Sequence, residues 1–231
     1  MISFHGIAKR YGELEVLKGI DFEVVPGSIT AVLGPNGSGK TTLIKSLLGM
    51  VFPDDGNIIL DGYQLNGKAT YRNKIGYLPQ IARFPENLTA RELIKMVGSV
   101  RPTERKDEEL IKLFELESYL DKKLSTLSGG TRQKINLVLA LMFDSPYLIL
   151  DEPTTGLDPI ALQVLKNVLI QFHEQSKTIL ITSHILSFVE EVADEVVFLL
   201  DGKIQFQGKV DELKNQTNAD TLEAAIATLM E

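Results

Sequence analysis

The pattern of apolar and polar positions changes period along this chain, and each change predicts a different kind of element. Near the N-terminus, Ile20-Asp21-Phe22-Glu23-Val24 nearly alternates, the period of a half-buried strand. Ile2-Ser3-Phe4 and Leu14-Glu15-Val16-Leu17 read the same way, so residues 1–30 are expected as short strands joined by turns. Asn57 to Leu60, the turn pair Asp61-Gly62 and Tyr63 to Leu65 predict a hairpin. An antiparallel patch is therefore expected in the first third. From about residue 88 to 143 the period becomes helical. Thr89-Ala90-Arg91-Glu92 has capping-box form ahead of Leu93, Ile94 and Val97. A charged amphipathic helix is expected over 108–116, with the charges from Glu104 to Lys112 on a solvated face, and an apolar helix over 135–143.

Continuous apolar runs follow. Tyr147 to Leu150 and Thr178 to Thr182 predict strands buried on both faces, and Leu162, Leu165, Leu169 and Phe172 form a helical stripe between them. Residues 195–207 turn at Asp201-Gly202 as a closing hairpin, and 211–231 is mostly helical by propensity. With no internal repeat or low-complexity linker, one α/β domain with a helical insertion is expected.

Three segments carry candidate chemistry. Gly34-Pro35-Asn36-Gly37-Ser38-Gly39-Lys40-Thr41-Thr42 fits G-x-x-x-x-G-K-[ST], whose glycines turn consecutive N–H groups onto phosphate oxygens. Lys40, expected as a charged ligand exposed in a loop, reaches the β- and γ-phosphates, and the Thr41 hydroxyl ligates Mg²⁺. The local frame agrees. Ser28 to Leu33 reads as a strand entering the loop, and Thr42 to Leu48 as a helix leaving it and stopping at Gly49. The second segment, Leu127-Ser128-Gly129-Gly130, has no evident task in one subunit. As a structural feature it is an N-cap. As a phosphate-binding surface, it can serve only a partner's nucleotide, since this chain has one nucleotide loop. The third is Leu148-Ile149-Leu150-Asp151-Glu152-Pro153, two carboxylates at the end of an apolar strand.

Composition narrows the class. A net charge of −7 argues against a large nucleic-acid footprint. The absence of cysteine excludes disulfides and thiolate metal sites. The N-terminal residues have no signal-peptide form, and no run of about 18 apolar residues is present. A soluble, cytoplasmic protein is the expectation.

In the order and spacing of these segments the chain resembles the nucleotide-binding subunit of an ABC (ATP-binding cassette) transporter over nearly its whole length. The resemblance implies a P-loop, RecA-like core at about 1–87 and 144–210. It implies an antiparallel β subdomain, a helical subdomain at about 88–143 and a C-terminal helical tail at about 211–231. ATP and Mg²⁺ are the implied cofactors. Asp151 holds Mg²⁺ directly or through water, and Glu152 polarises the attacking water. Gln80, in Tyr77-Leu78-Pro79-Gln80, serves Mg²⁺ and that water; on its own it would be a surface loop residue. His184 senses the γ-phosphate, where its residue chemistry alone allows a strand-end histidine bonded to backbone. Tyr11 stacks on adenine or is simply a hairpin aromatic. Ser128 and Gly130 meet the γ-phosphate held by the opposite subunit, and Gly156-Leu157-Asp158 crosses the dimer boundary while Asp158 also caps a helix. Thr131 stands where the family usually has glutamine.

The implied partners are a second copy, bound head to tail with ATP, and a separately encoded transmembrane subunit on whose cytoplasmic face the chain sits. Phe84, in a polar loop shortly after Gln80, is expected on the surface facing that subunit. The loop and the short C-terminus look most like exporter-type or lipid- and copper-processing systems. A soluble ABC-type mechanical ATPase is the alternative, although such proteins usually carry two cassettes or long insertions. A GTPase or kinase is opposed by the LSGG segment. A non-catalytic cassette is opposed by Lys40, Asp151, Glu152 and His184.

Overall fold

A computed structural model describes residues 1–65, 67, 69–101 and 103–230. Glu231, the last residue of the expected helical tail, lies outside the described residues. Two sheets organise the chain. The first is antiparallel, in the order β2-β1-β4-β5, from β1 (Ile2–Tyr11), β2 (Leu14–Val24), β4 (Asp55–Leu60) and β5 (Tyr63–Gln64). The second has the order β10-β9-β3-β8-β7-β6. In it β3 (Ile29–Leu33), β6 (Ile75–Leu78), β7 (Tyr147–Asp151), β8 (Thr178–Thr182) and β9 (Glu195–Leu200) run parallel. Only β10 (Lys203–Lys209) reverses, at the edge.

Every residue of β3, β7 and β8 is buried, because each face of this sheet packs on a different layer. Successive side chains point to opposite faces, so the strands divide their residues between two apolar cores. Ala31, Leu148, Leu150, Ile179, Ile181 and Phe198 join the larger core under the helices. Val32, Ile149, Leu180 and Val197 join the smaller one. There they meet the antiparallel sheet and α1 (Lys40–Leu47), through Phe4, Ile20, Leu43 and Leu47.

The expected short strands of residues 1–30 are in fact two long ones. Gly6 and Gly19 interrupt the alternation with left-handed φ of 60° and 76°. The pairing of β1 with β2 shifts register between Phe4 and Ile7, so Gly6 sits in a bulge that re-aims the strand. The helical insertion holds α2 (Ala90–Gly98), α3 (Asp107–Leu113) and α4 (Gly129–Leu141). The predicted capping box at Thr89 is formed. α3 stops earlier than the pattern suggests, because Glu115 turns left-handed at φ 55°. α4 starts six residues before its apolar run at the poor helix formers Gly129 and Gly130, where Ser128 caps it.

α5 (Pro159–Glu174) buries Leu165, Leu169 and Phe172 as expected, with Leu162 half-buried. α6 (Leu186–Val192) and β6 have no counterpart among the expected elements. β6 is four residues long and includes a glycine, too short for a periodic signal; pairing with β7 makes it a strand. The tail forms α7 (Val210–Thr217) and α8 (Leu222–Leu229).

Gly76 lets α4 settle onto β6. A Cβ there would overlap the Ala140 carbonyl oxygen and come within 2.7 Å of Leu148 Cδ2. Gly76→Ala is therefore expected to destabilise the fold by roughly 1–3 kcal/mol. Urea unfolding would show this as a lower midpoint at unchanged slope. An unshifted midpoint would mean that α4 is not seated on β6.

Candidate functional site

The parallel strands β3, β6, β7 and β8 all end at one edge of the sheet, where open α/β sheets place their ligands. β3 delivers the loop 34–39 and the start of α1. Gly34, at φ 147°, passes so close to β9 that a Cβ would strike the Leu199 carbonyl and lie 2.8 Å from Ser38 Oγ. At Gly39 a Cβ would come within 2.7 Å of Leu17 Cδ2 and 2.9 Å of the Val16 carbonyl, which fixes β2 against the loop. Ser38 Oγ is buried and has no hydrogen-bond partner in the protein. An oxygen ligand brought to the loop would satisfy it.

Lys40 is not the exposed loop residue expected. It is 8% accessible, and Nζ donates to the carbonyls of Gly34 at 2.7 Å and Pro35 at 3.0 Å. Burial lowers its pKa, against the opposing pull of Glu152 and Asp151. A cation drawn partly from water and held by carbonyls is ready to pair with an anion.

β7 ends on Asp151, buried and doubly anchored. Thr182 Oγ1, on neighbouring β8, donates to Oδ1 at 2.7 Å, and Thr41 Oγ1 donates to Oδ2 at 3.3 Å. Thr182 also accepts the Glu152 N–H at 2.9 Å. Thr41 and Asp151 thus present two hard oxygen donors side by side. Mg²⁺ binds in this manner, through one or two protein oxygens completed by phosphate and water. Among the described residues no group of three or more His, Asp or Glu could hold a metal by itself, so this pair fits a cation that arrives with a phosphate.

Glu152 follows in a left-handed conformation, φ 55°, which is unfavourable for a non-glycine residue. It is 3% accessible, its Oε2 accepts the His184 N–H at 3.2 Å, and His184 Nε2 stands 3.1 Å from Oε1. That approach suits an ion pair but is not aligned as a hydrogen bond, so Oε1 lacks a donor. Burial is the largest influence on Glu152 and raises its pKa; His184 and then Lys40 pull it down, and Asp151 adds to the rise. Tyr77, on β6, is pushed up to about 12 by burial and the charge of Asp151.

The structure therefore brings Lys40, Thr41, Asp151, Glu152 and His184 together. Gln80 lies exposed two residues beyond β6, whose Leu78 pairs with Leu150 beside Asp151. Tyr11 ends β1 with half its surface exposed and Lys9 Nζ 5.6 Å from its ring. Ser128, Gly129 and Gly130 stand apart. Ser128 Oγ accepts the Thr131 N–H at 3.2 Å and lies 2.9 Å from Thr131 Oγ1. A Cβ on Gly130 would approach the Gly156 carbonyl to 2.8 Å. Asp158 caps α5 by accepting the Ala161 N–H at 2.8 Å.

Thr182 escaped the sequence reading although it holds the Asp151 carboxylate and the Glu152 backbone N–H. Its only sequence signal is a hydroxyl at the end of a buried strand just before His184. Phe84 is half-buried rather than freely exposed. It packs on the larger core and lines a cavity of about 400 Å³ with Arg83, Leu93, Arg132 and Ile135.

A phosphate loop, a buried acidic pair at a strand end and a glycine-rich helix start define a P-loop ATPase of the cassette type. The chain belongs to the ABC transporter family, whose family model matches residues 17–155, and it is an ATP-binding and ATP-hydrolysing subunit. It is 34% identical over 229 residues to the Nod factor export ATP-binding protein I of Burkholderia lata, covering 96% of this chain and 75% of that one. Among solved structures it is similar to an ATP-binding subunit of an ABC transporter, with TM-score 0.92, 29% identity and full coverage of both chains. It is also similar to a dimeric bacterial ABC transporter cassette, with TM-score 0.78 and 26% identity, covering 90% of this chain and 98% of that one. No helix among the described residues is long and apolar enough to cross a membrane.

Because burial raises the Glu152 pKa, folding favours its protonated form. The contribution of this group is fully present below the unfolded value of 4.5 and is lost as pH rises through the higher folded value. Glu152→Gln removes that loss. Without nucleotide, its melting temperature should exceed that of the parent at pH 8, by roughly 2–4 °C for each kcal/mol relieved. The gap should narrow towards pH 5. A gap independent of pH would show that the carboxylate carries no burial penalty.

Proposed function

We propose that this chain powers an exporter-type transporter. Two copies close head to tail around two Mg·ATP, and the closure drives a separately encoded membrane subunit on whose cytoplasmic face they sit. The observation that carries this reading is the continuous contact of Thr41 with Asp151, Asp151 with Thr182, and Glu152 with His184, directly beside the Lys40 loop. The core is assigned to 1–87 and 144–210, the helical subdomain to 88–143 and the tail to 211–231.

The loop from Gly34 through Pro35 to Thr42 wraps the phosphates, with backbone N–H groups supplied by its non-proline residues, Asn36, Gly37, Ser38 and Gly39 among them. Lys40 exchanges its two carbonyl acceptors for the β- and γ-phosphate oxygens. Thr41, Asp151 and, from the end of β6, Gln80 hold Mg²⁺, which when bound withdraws charge from the phosphate oxygens. Glu152, made more basic by burial, orients the attacking water and accepts its proton. His184 donates to the γ-phosphate, and Tyr11 stacks on adenine. The second copy contributes Ser128, Gly129 and Gly130 to that phosphate, with Asp158 at the boundary between copies. The groove at Arg83 and Phe84, beside exposed Ile81, receives the membrane subunit. Export is supported by the relative named for Nod factor export.

Lys40→Ala should lower ATP hydrolysis by at least about a hundredfold while leaving the circular dichroism spectrum unchanged. Hydrolysis at the parental rate would end this assignment. Glu152→Gln should form a dimer with Mg·ATP and remain monomeric with Mg·ADP, as read by light scattering. Adding Ser128→Arg should abolish the dimer, because it places bulk at the shared γ-phosphate. Persistence of the ATP-dependent dimer would reduce the LSGG segment to a helix cap. Phe84→Ala should keep the isolated ATPase rate and weaken co-purification with the membrane subunit; undiminished recovery of that subunit would place the docking surface elsewhere.

A further inference from the structure

The first two turns of α4 and the segment running from Glu152 to α5 hold each other at three points within one chain. Gln133 Nε2 donates to the Pro153 carbonyl at 3.2 Å. Lys134 Nζ pairs with Asp158 Oδ2 at 2.9 Å. Between these, Gly130 and the Gly156 carbonyl approach closely enough to exclude a side chain. Pro153 is the residue after Glu152, and buried Thr154 is bonded to Ser183 beside His184, with Oγ1 and Oγ 3.2 Å apart. The far end is equally fixed, since Asp158 is the cap of α5. The Ala161 N–H and then the Lys134 ammonium hold its carboxyl below the usual range. None of these groups belongs to the set around Lys40, and the geometry of α4 alone does not require them.

We propose that Gln133 and Lys134 are positioning residues that clamp the start of α4 to the 153–158 segment. Ser128 then keeps a fixed place relative to its own chain's Glu152. The inference rests on the reading that Ser128 meets a second copy's nucleotide. α4 is seated on β6 through Gly76 and Ala140, near the C-terminal end of the helix, so that contact alone leaves the opposite end, at Ser128, free to shift against the strand ends. Two side-chain contacts on consecutive residues of α4, directed at both ends of a short segment, remove that freedom. Ser128 is thereby preorganised to meet a nucleotide whose other side is held by a different copy, and preorganisation lowers the cost of association. Lys134–Asp158 is partly exposed, with side chains 18% and 51% accessible, so its contribution to folding is small. Its effect should be on geometry.

The test uses the full chain carrying Glu152→Gln, with light scattering to measure the ATP-dependent dimer and a fluorescent ATP analogue to measure binding by the monomer. Gln133→Leu and Lys134→Met are each expected to weaken the dimer about tenfold. Monomer affinity should stay within about twofold, because Lys40 and Thr41 are untouched. Lys134→Arg should restore the dimer, since it keeps the charge and reach. A cycle with Ser128→Ala separates positioning from general loosening: in the Ser128→Ala background, Lys134→Met should have no further effect on the dimer. Additive losses, or a dimer insensitive to both single substitutions, would overturn the clamp. If Ser128→Ala itself leaves the dimer unchanged, the parent reading of Ser128 fails instead. Urea midpoints of the single variants identify any loss that comes from unfolding.

Discussion

Two carboxylates lie side by side in the interior, at the end of a strand buried on both faces, and much of the surrounding arrangement compensates for them. Buried charge is costly unless it is paired or hydrogen-bonded. Asp151 is satisfied by hydroxyls from two different elements, Thr41 of α1 and Thr182 of β8. Glu152 is only partly satisfied, with the His184 N–H on one oxygen and no aligned donor on the other. The incomplete member is the one proposed to act on water. Full satisfaction would suit a structural ion pair, and the shortfall at Oε1 suits a group that has still to engage a ligand.

The same compensation determines which elements must be neighbours. β7 needs β8 on one side for Thr182 and needs the α1 end of the nucleotide loop within hydrogen-bond reach of Asp151. The strand order β3-β8-β7-β6 provides both. It also sets β6 next to β7, with Leu78 paired to Leu150 and Gln80 two residues farther on. The antiparallel sheet secures the other side of the loop through Leu17 and Val16 at Gly39. Glycine is needed there, as at Gly34, for both room and backbone conformation.

The helical insertion is tied to this centre at two places of different character. Gly76 brings α4 against β6 by shape alone. Gln133 and Lys134 bind the start of α4 to the residues after Glu152 through polar contacts, which can be altered without opening the core. The packed contact suits a permanent frame, and the polar one suits the setting of a surface. Phe84 shows how the insertion also builds a groove. Its ring leans on the larger core while the chain beside it stays exposed at Ile81.

Local chemistry in the sequence determined the elements whose causes are local. The strand-loop-helix at 28–48, the capping box at Thr89, the Asp158 cap and the doubly buried strands at 147 and 178 all follow from hydrogen-bonding groups or apolar runs within a few residues. The residue types of the phosphate loop, the acidic pair and the LSGG segment were legible for the same reason, and together they identified the family. Long-range pairing decided the rest. β6 is a strand because β7 lies beside it, and Gly6 and Gly19 make bulges rather than breaks because β1 and β2 continue past them. Lys40 is buried because carbonyls of its own loop close over it. The role of Thr182 and the grip of Gln133 and Lys134 on residues 153–158 were not visible in the sequence. Each depends on side chains meeting across about 20–30 positions of chain, and only the folded packing of strands and helices sets such distances.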